Sequence, residues 1–123
     1  MAAPEVDKFG ELMITKLRDR TLDFFDGLAS SRWKSPSTLQ LQAELAALSP
    51  EQRAVARRCV VASIDSGVHD FLFALVECHD FNSGISVIVD GKDVVDLSDG
   101  LHGEPWSDEG WIAKYSKHPA GRG

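Results

Sequence analysis

The sequence predicts an α+β fold that is mainly helical, with about four helices and one C-terminal antiparallel β-hairpin packed on them. Three observations carry this expectation. Apolar residues recur at helical spacing over residues 8–30. Ser49-Pro50-Glu51-Gln52 opens a second, longer apolar stripe with a helix-start signature. Two β-branched runs flank Asp90-Gly91, which is a hairpin signal.

The first helix is expected over 8–30, with Phe9, Leu12, Met13, Leu17, Phe24, Phe25 and Leu28 on its apolar face. Gly27 and Ser30-Ser31 weaken its end, and Trp33 falls in a short polar connection. A second helix is expected over 37–48, with Ser35 as N-cap, Pro36 in the first turn and Leu39, Leu41, Leu45 and Leu48 apolar. The third should start at Ser49-Pro50 and run to about Cys78. Its core stripe is Val60, Val61, Ile64, Val68, Phe71, Leu72 and Leu75, and Gly67 marks a kink or a close crossing.

Ile85–Val89 and Val94–Leu97 then read as strands. A three-residue loop would pair Ile85 with Leu97 and Val87 with Val95, which suits the core. A two-residue Asp-Gly turn would pair Ile85 with Asp96, and a bulge is expected to settle the conflict. A glycine-rich loop follows over 98–107. A last short helix is expected over about 108–117, with Ser107 as N-cap, Asp108 and Glu109 in its first turn, and Trp111, Ile112 and Tyr115 on its apolar face.

The 123 residues suffice for one domain over 1–123, with 1–6 and 118–123 expected to fray. Apolar residues are 43% and charged residues 26%, an ordinary globular balance. No apolar run nears the ~20 residues of a membrane span, and the N-terminus lacks the basic and apolar regions of a signal peptide. A cytoplasmic address is expected. Cys59 and Cys78 lie on one expected helix, about 30 Å apart at ~1.5 Å per residue, so they cannot pair with each other. They are expected as buried free thiols.

The net charge is −6, unevenly spread. Residues 1–58 carry nine basic and eight acidic side chains, whereas 65–109 carry eleven acidic ones and only Lys92. Such a surface repels nucleic acid and anionic membrane and attracts basic partners or cations. Arg53, Arg57 and Arg58 are expected on one solvated helix face.

Chemistry-bearing residues are few. Asp65 and His69, four apart on a helix, could hold a metal or form an acid-base pair. His79, Asp80 or His102 could supply a third ligand, though no standard zinc motif is present. The segment Asp99-Gly-Leu-His-Gly-Glu-Pro-Trp106 offers His102 as a base with Asp99 or Glu104 orienting it. Asp80-Phe-Asn-Ser-Gly84 resembles the start of a calcium loop, but Ile85 and Gly91 occupy the sixth and twelfth positions, which require glycine and glutamate. No nucleophile elbow or phosphate loop is present, and no cofactor is expected.

Val68-His-Asp-Phe-Leu-Phe73, the Asp-Gly hairpin, Ser98-Asp-Gly-Leu-His-Gly-Glu104 and Trp111-Ile-Ala-Lys-Tyr-Ser116 together resemble a small family of uncharacterised bacterial proteins. The resemblance spans most of the chain, implies a bacterial cytoplasmic origin and carries over no functional residue. Two function classes follow from the residues. One is a non-enzymatic acidic interaction module that binds a basic protein partner through Phe81, Trp106 and Trp111. The other is a small enzyme or metal-binding protein using His102, Asp99 and Glu104, with Asp65 and His69. Two strands cannot form an independent sheet, so the hairpin must pack on the helices or pair its edge with another chain; a homodimer through the hairpin edge or the helices is the further expectation.

Overall fold

Pro4 starts the first helix in the computed structural model, which describes residues 3–118. Proline at the first helical position gives up no hydrogen bond, so α1 (Pro4–Met13) begins ahead of the expected residue 8. Fraying over 1–6 therefore does not extend to Pro4–Val6, and Val6 is fully buried. Residues 119–123 of the other expected frayed end lie outside the described residues.

The helix runs on through a π-helical turn (Ile14–Arg18) into α2 (Asp19–Ala29). A π turn takes in one extra residue, which rotates every later side chain by roughly 100°. A single stripe drawn through 8–30 therefore averages two offset faces. Leu12, Leu17 and Phe24, expected inside, are 57%, 40% and 49% exposed. Ile14, Arg18, Asp19 and Leu22 are buried in their place.

In α3 (Pro36–Ala46) Ser35 precedes the helix in extended conformation, but its side chain caps no backbone N–H. Leu39 and Leu41 are exposed, whereas Leu45 joins Phe25 and Leu28 in a small second core. Gln42 is buried because it closes the loop before it. Its Oε1 accepts from Trp33 N at 3.0 Å and its Nε2 donates to Trp33 O at 3.0 Å. Gly27 is less a weak point than a seat for Trp33, since a Cβ there would lie 2.2 Å from the indole.

The long helix α4 (Pro50–Asp80) starts where Ser49-Pro50 places it. Ser49 Oγ accepts from Gln52 N at 3.1 Å, and Ser49 N donates to Gln52 Oε1 at 2.9 Å, which completes the capping box. Ser49→Ala is expected to lose about 1 kcal/mol, read from urea unfolding; an unchanged midpoint would show that the box carries no stability. Val61, Val68, Leu72 and Leu75 are its buried residues, while Phe71 is 49% exposed. A methyl group added at Gly67 would meet nothing within 4 Å, so no helix crosses there. Cys59 and Cys78 are free, but Cys59 is exposed rather than buried. Among the described residues α4 is the one helix long and apolar enough to cross a membrane by length and composition.

The hairpin is shorter than expected. β1 (Ile88–Val89) pairs antiparallel with β2 (Lys92–Asp93) in the register Ile88 with Asp93 and Val89 with Lys92. Asp90 and Gly91 both have positive φ, 50° and 82°. That is the two-residue turn whose twist matches the strands, so turn chemistry sets the register and no bulge intervenes. The same register would set Asp96 opposite Ile85. The chain avoids this by leaving the sheet: the expected strand over 94–97 is a short helix, α5 (Val94–Leu97), capped by Asp93, whose carboxylate accepts from Val95 N at 2.9 Å. Val94 is thereby fully buried.

A 3-10 turn (Leu101–Gly103) leads to α6 (Trp111–Tyr115). α6 starts later than expected, after Gly110 and not Ser107, because loop carbonyls occupy its first donors. Trp111 N bonds Glu104 O and Ile112 N bonds Pro105 O. Asp108 and Glu109 therefore sit in the loop, outside the helix. The main core joins Val6, Phe9, Met13 and Ile14 to Val68, Leu72 and Leu75, closed by Val94, Leu101, Trp111 and Ile112.

Candidate functional site

Side-chain hydrogen bonds help fold the loop after α5 back on itself. Ser98 Oγ donates to Glu104 Oε2 at 2.6 Å, Gly100 N donates to Ser98 Oγ at 3.2 Å, and Trp106 Nε1 donates to His102 O at 2.7 Å. Glu104 is thus held by Ser98 and does not orient His102. No hydrogen bond joins His102 to Asp99 or Glu104 among the described residues. His102 instead packs its ring edge-on against Phe73 and His69 of α4, at 5.1 and 5.6 Å between centroids. The structure does not assemble the acid-base set expected from Asp99, His102 and Glu104.

Of the three expected binding aromatics, Phe81 is 78% exposed and Trp106 is half-buried. Trp111 is corrected to a core residue. It is 1% exposed, meets Phe9 edge-on at 6.0 Å, and lies so close over Gly10 that a Cβ there would be 2.3 Å from the ring. Its size and its place on a short amphipathic helix suggest an anchor; the bare glycine beneath it makes it a plug.

Beside that plug lies a cleft of about 630 Å³ between α1, the 104–110 loop and α6. Asp7, Glu104, Asp108, Glu109 and Lys114 contribute its charges. Lys114 Nζ is bound to Asp7 at 3.2 Å, while Asp108 and Glu109 are exposed and have no partner among the described residues. Opposed to four carboxylates, one lysine leaves the cleft strongly negative.

Asp65 and His69 do not form the expected pair. Asp65 takes Arg18 Nε at 2.6 Å, and His69 Nδ1 lies 3.1 Å from Asp70. Arg18 is fully buried, brought inward by the π turn. It also donates to Ser116 Oγ at 3.0 Å and His118 O at 3.1 Å. The neighbouring Asp19, 2% exposed, accepts from Ser116 Oγ at 2.6 Å and Lys117 N at 2.8 Å. Buried charges need such partners, and these clamp residues 116–118 between α2 and α4. Arg57 joins the clamp through Asp26 at 2.8 Å and His118 Nδ1 at 3.2 Å, and Arg53 caps the carbonyls that end α3, so these two arginines are not a solvated face. His118 Nδ1 must accept from the guanidinium, which places its proton on Nε2, donated to Asp23 at 2.9 Å.

Asp23 shows how the clamp responds to pH. The Lys117 ammonium, then His118, hold its carboxyl below the usual range. A lowered folded pKa contributes stability above the ordinary carboxylate value and loses it as pH falls through the lowered one. Protection of the amides at residues 116–118, taken relative to their intrinsic exchange rates, should therefore fall in strong acid, and Lys117→Ala should return the Asp23 titration, followed by carboxyl NMR, toward its ordinary position. An Asp23 titration unmoved by that substitution would contradict the assignment.

A third group forms where the last turn of α4 meets the hairpin. His79 Nε2 lies 2.6 Å from Asp96 Oδ1, and its Nδ1 lies 3.3 Å from Asp80 Oδ1. Ligand atoms of His79, Asp93 and Asp96 all lie within 4.8 Å of one another. Asp96, then Asp80, raises the His79 pKa. Sequence reasoning names His79 only as a spare ligand and misses this group, because on the expected strand residues three apart, such as Asp93 and Asp96, would face opposite sides. The α5 helix brings them to one side.

No family model matches the chain, and neither a curated protein nor a solved structure matches it.

Proposed function

We propose that this chain is a non-enzymatic interaction module whose acidic cleft receives a basic segment of a protein partner. The observation that carries this is the convergence of Asp7, Glu104, Asp108 and Glu109 on one cleft of about 630 Å³, two of them unpartnered among the described residues. A lysine or arginine entering there meets Asp108 and Glu109, which no cation among the described residues neutralises. The surrounding excess of acid over base in 65–109 adds long-range attraction. Of the three expected binding aromatics Phe81 is the exposed one, outside the cleft lining.

The test is fluorescence anisotropy of a labelled lysine- and arginine-rich peptide against the full chain. Binding should weaken steeply between low and high salt. The double substitution Asp108→Lys with Glu109→Lys should weaken it at least tenfold while leaving the circular dichroism unchanged, since both residues are exposed. Equal binding by the two proteins, or none at low salt, would sink the reading.

A second reading, self-association, rests on the hairpin edge. Ile88 faces Asp93 between the bonded positions Val89–Lys92 and Val87–Val94, so its N–H and C=O point away from β2. An apolar groove of about 800 Å³ lined by Phe9, Leu12, Val87 and Ile88 runs beside it, with Leu12 and Ile88 more than half exposed. The same edge of a second copy would satisfy these groups by antiparallel addition. Sedimentation should show a dimer that Ile88→Pro abolishes; a monomer at all concentrations excludes it.

A further inference from the structure

We propose that His79, Asp93 and Asp96 form a site for a first-row divalent metal ion of the zinc class. The three residues come from different parts of the chain: the last turn of α4, the cap of α5, and α5 itself. The hairpin between them exists only because Asp90 and Gly91 turn in two residues, and the turn delivers Asp93 and Asp96 to His79.

The geometry is close to a coordination triangle. Donors about 2.0–2.2 Å from a tetrahedral ion lie roughly 3.3–3.6 Å from one another. The three donor atoms already lie within 4.8 Å, with His79 Nε2 and Asp96 Oδ1 at 2.6 Å. Opening that contact by under an ångström and drawing Asp93 inward are side-chain rotations. The backbone need not move. Asp93 caps α5 with Oδ1, which leaves its other oxygen for a metal.

The imidazole is also held as metal-binding histidines are. Without a metal Nε2 donates to Asp96 at 2.6 Å; a metal ion would displace that proton, and Asp80 Oδ1, 3.3 Å from Nδ1, is placed to accept the proton that the bound imidazole keeps. Among the described residues no lysine or arginine pairs with His79, Asp93 or Asp96. Lys92, the only one in 65–109, faces Glu5 at 3.7 Å. Asp96 is 62% exposed, so the remaining coordination positions are open to water. One imidazole and two carboxylates suit zinc and its neighbours, whereas magnesium and calcium call for six or more oxygens.

The experiment is calorimetric titration of the full, metal-stripped chain with zinc chloride, beside magnesium chloride. Wild type should bind one zinc per chain and bind magnesium far more weakly. His79→Gln and Asp96→Asn should each weaken zinc binding at least tenfold. Both residues sit at the surface, so the fold is retained, checked by circular dichroism. Asp80→Asn, which acts only by positioning His79, should weaken binding less than His79→Gln. Added zinc should shift backbone NMR signals at 79, 93 and 96 first. The proposal is overturned by no saturable zinc binding, by zinc binding unchanged in both variants, or by binding lost only in a Cys59→Ser, Cys78→Ser chain.

Discussion

Arg18→Met should cost about 3–5 kcal/mol of folding free energy, the expected loss when one partner of a buried ion pair is removed. Arg18 is fully buried and the Asp65 side chain is 15% exposed, so the remaining carboxylate cannot recover full hydration. Ser116 and His118 O lose a donor in the same step. The pair itself is not the source of that stability. Replacing both partners with apolar residues of similar shape is often neutral, so Arg18→Met with Asp65→Leu should recover most of the loss. Urea unfolding of the two single variants and the double variant measures the coupling. A loss below about 1 kcal/mol for Arg18→Met, far short of the buried-pair range, would mean that water reaches Asp65 and that the clamp is loose.

Gly10→Ala carries the second large effect. One added carbon would lie 2.3–2.4 Å from three atoms of the Trp111 indole, at the centre of the main core. Either α1 shifts or the ring leaves its contact with Phe9. Overpacking of this kind costs about 1–3 kcal/mol, and sometimes more, which outweighs the gain from alanine's better helix propensity. Gly67→Ala is the matched control. It lies inside α4 with open space around it, so it should stabilise by roughly 1 kcal/mol. Thermal melts of the two variants should move in opposite directions. Near-ultraviolet circular dichroism should change only in Gly10→Ala, because only that substitution touches Trp111. Two destabilised variants, or two stabilised ones, would mean that space around the glycines does not decide the sign.

How much of the fold is legible in the chain depends on whether the signal is local. The mainly helical α+β layout and the start of α4 follow from nearest-neighbour chemistry: periodicity, a serine cap, a proline in the first turn. The hairpin turn is legible too, in Asp90-Gly91. Its register stays open in the sequence because the apolar pattern and the turn residues disagree, and the chain resolves the disagreement by ending β2 after Asp93. The π turn has no comparable signature. Without it Leu17 looks buried and Arg18 looks solvated, and the reverse holds. Trp111 cannot be placed without knowing that Gly10 faces it from the far end of the chain. The candidate sites are legible only in part. The negative charge of 65–109 marks the right region, and Glu104 stands out within it. Asp7 enters the cleft from α1, and no spacing rule connects it to a loop a hundred residues away.

The clamp on residues 116–118 also has a consequence for how the chain is made. Arg18 and Asp19 are joined to their C-terminal partners across 97–100 positions of sequence. On the ribosome, where synthesis runs from the N-terminus, α1, α2 and α4 emerge long before Ser116 does. Until then Asp19 lacks both its donors, and Arg18 has only Asp65. A nascent chain halted before Ser116 would therefore carry a half-neutralised interior and stay open to proteases, and the segment 116–118, translated after the helices it joins, works as a latch on them.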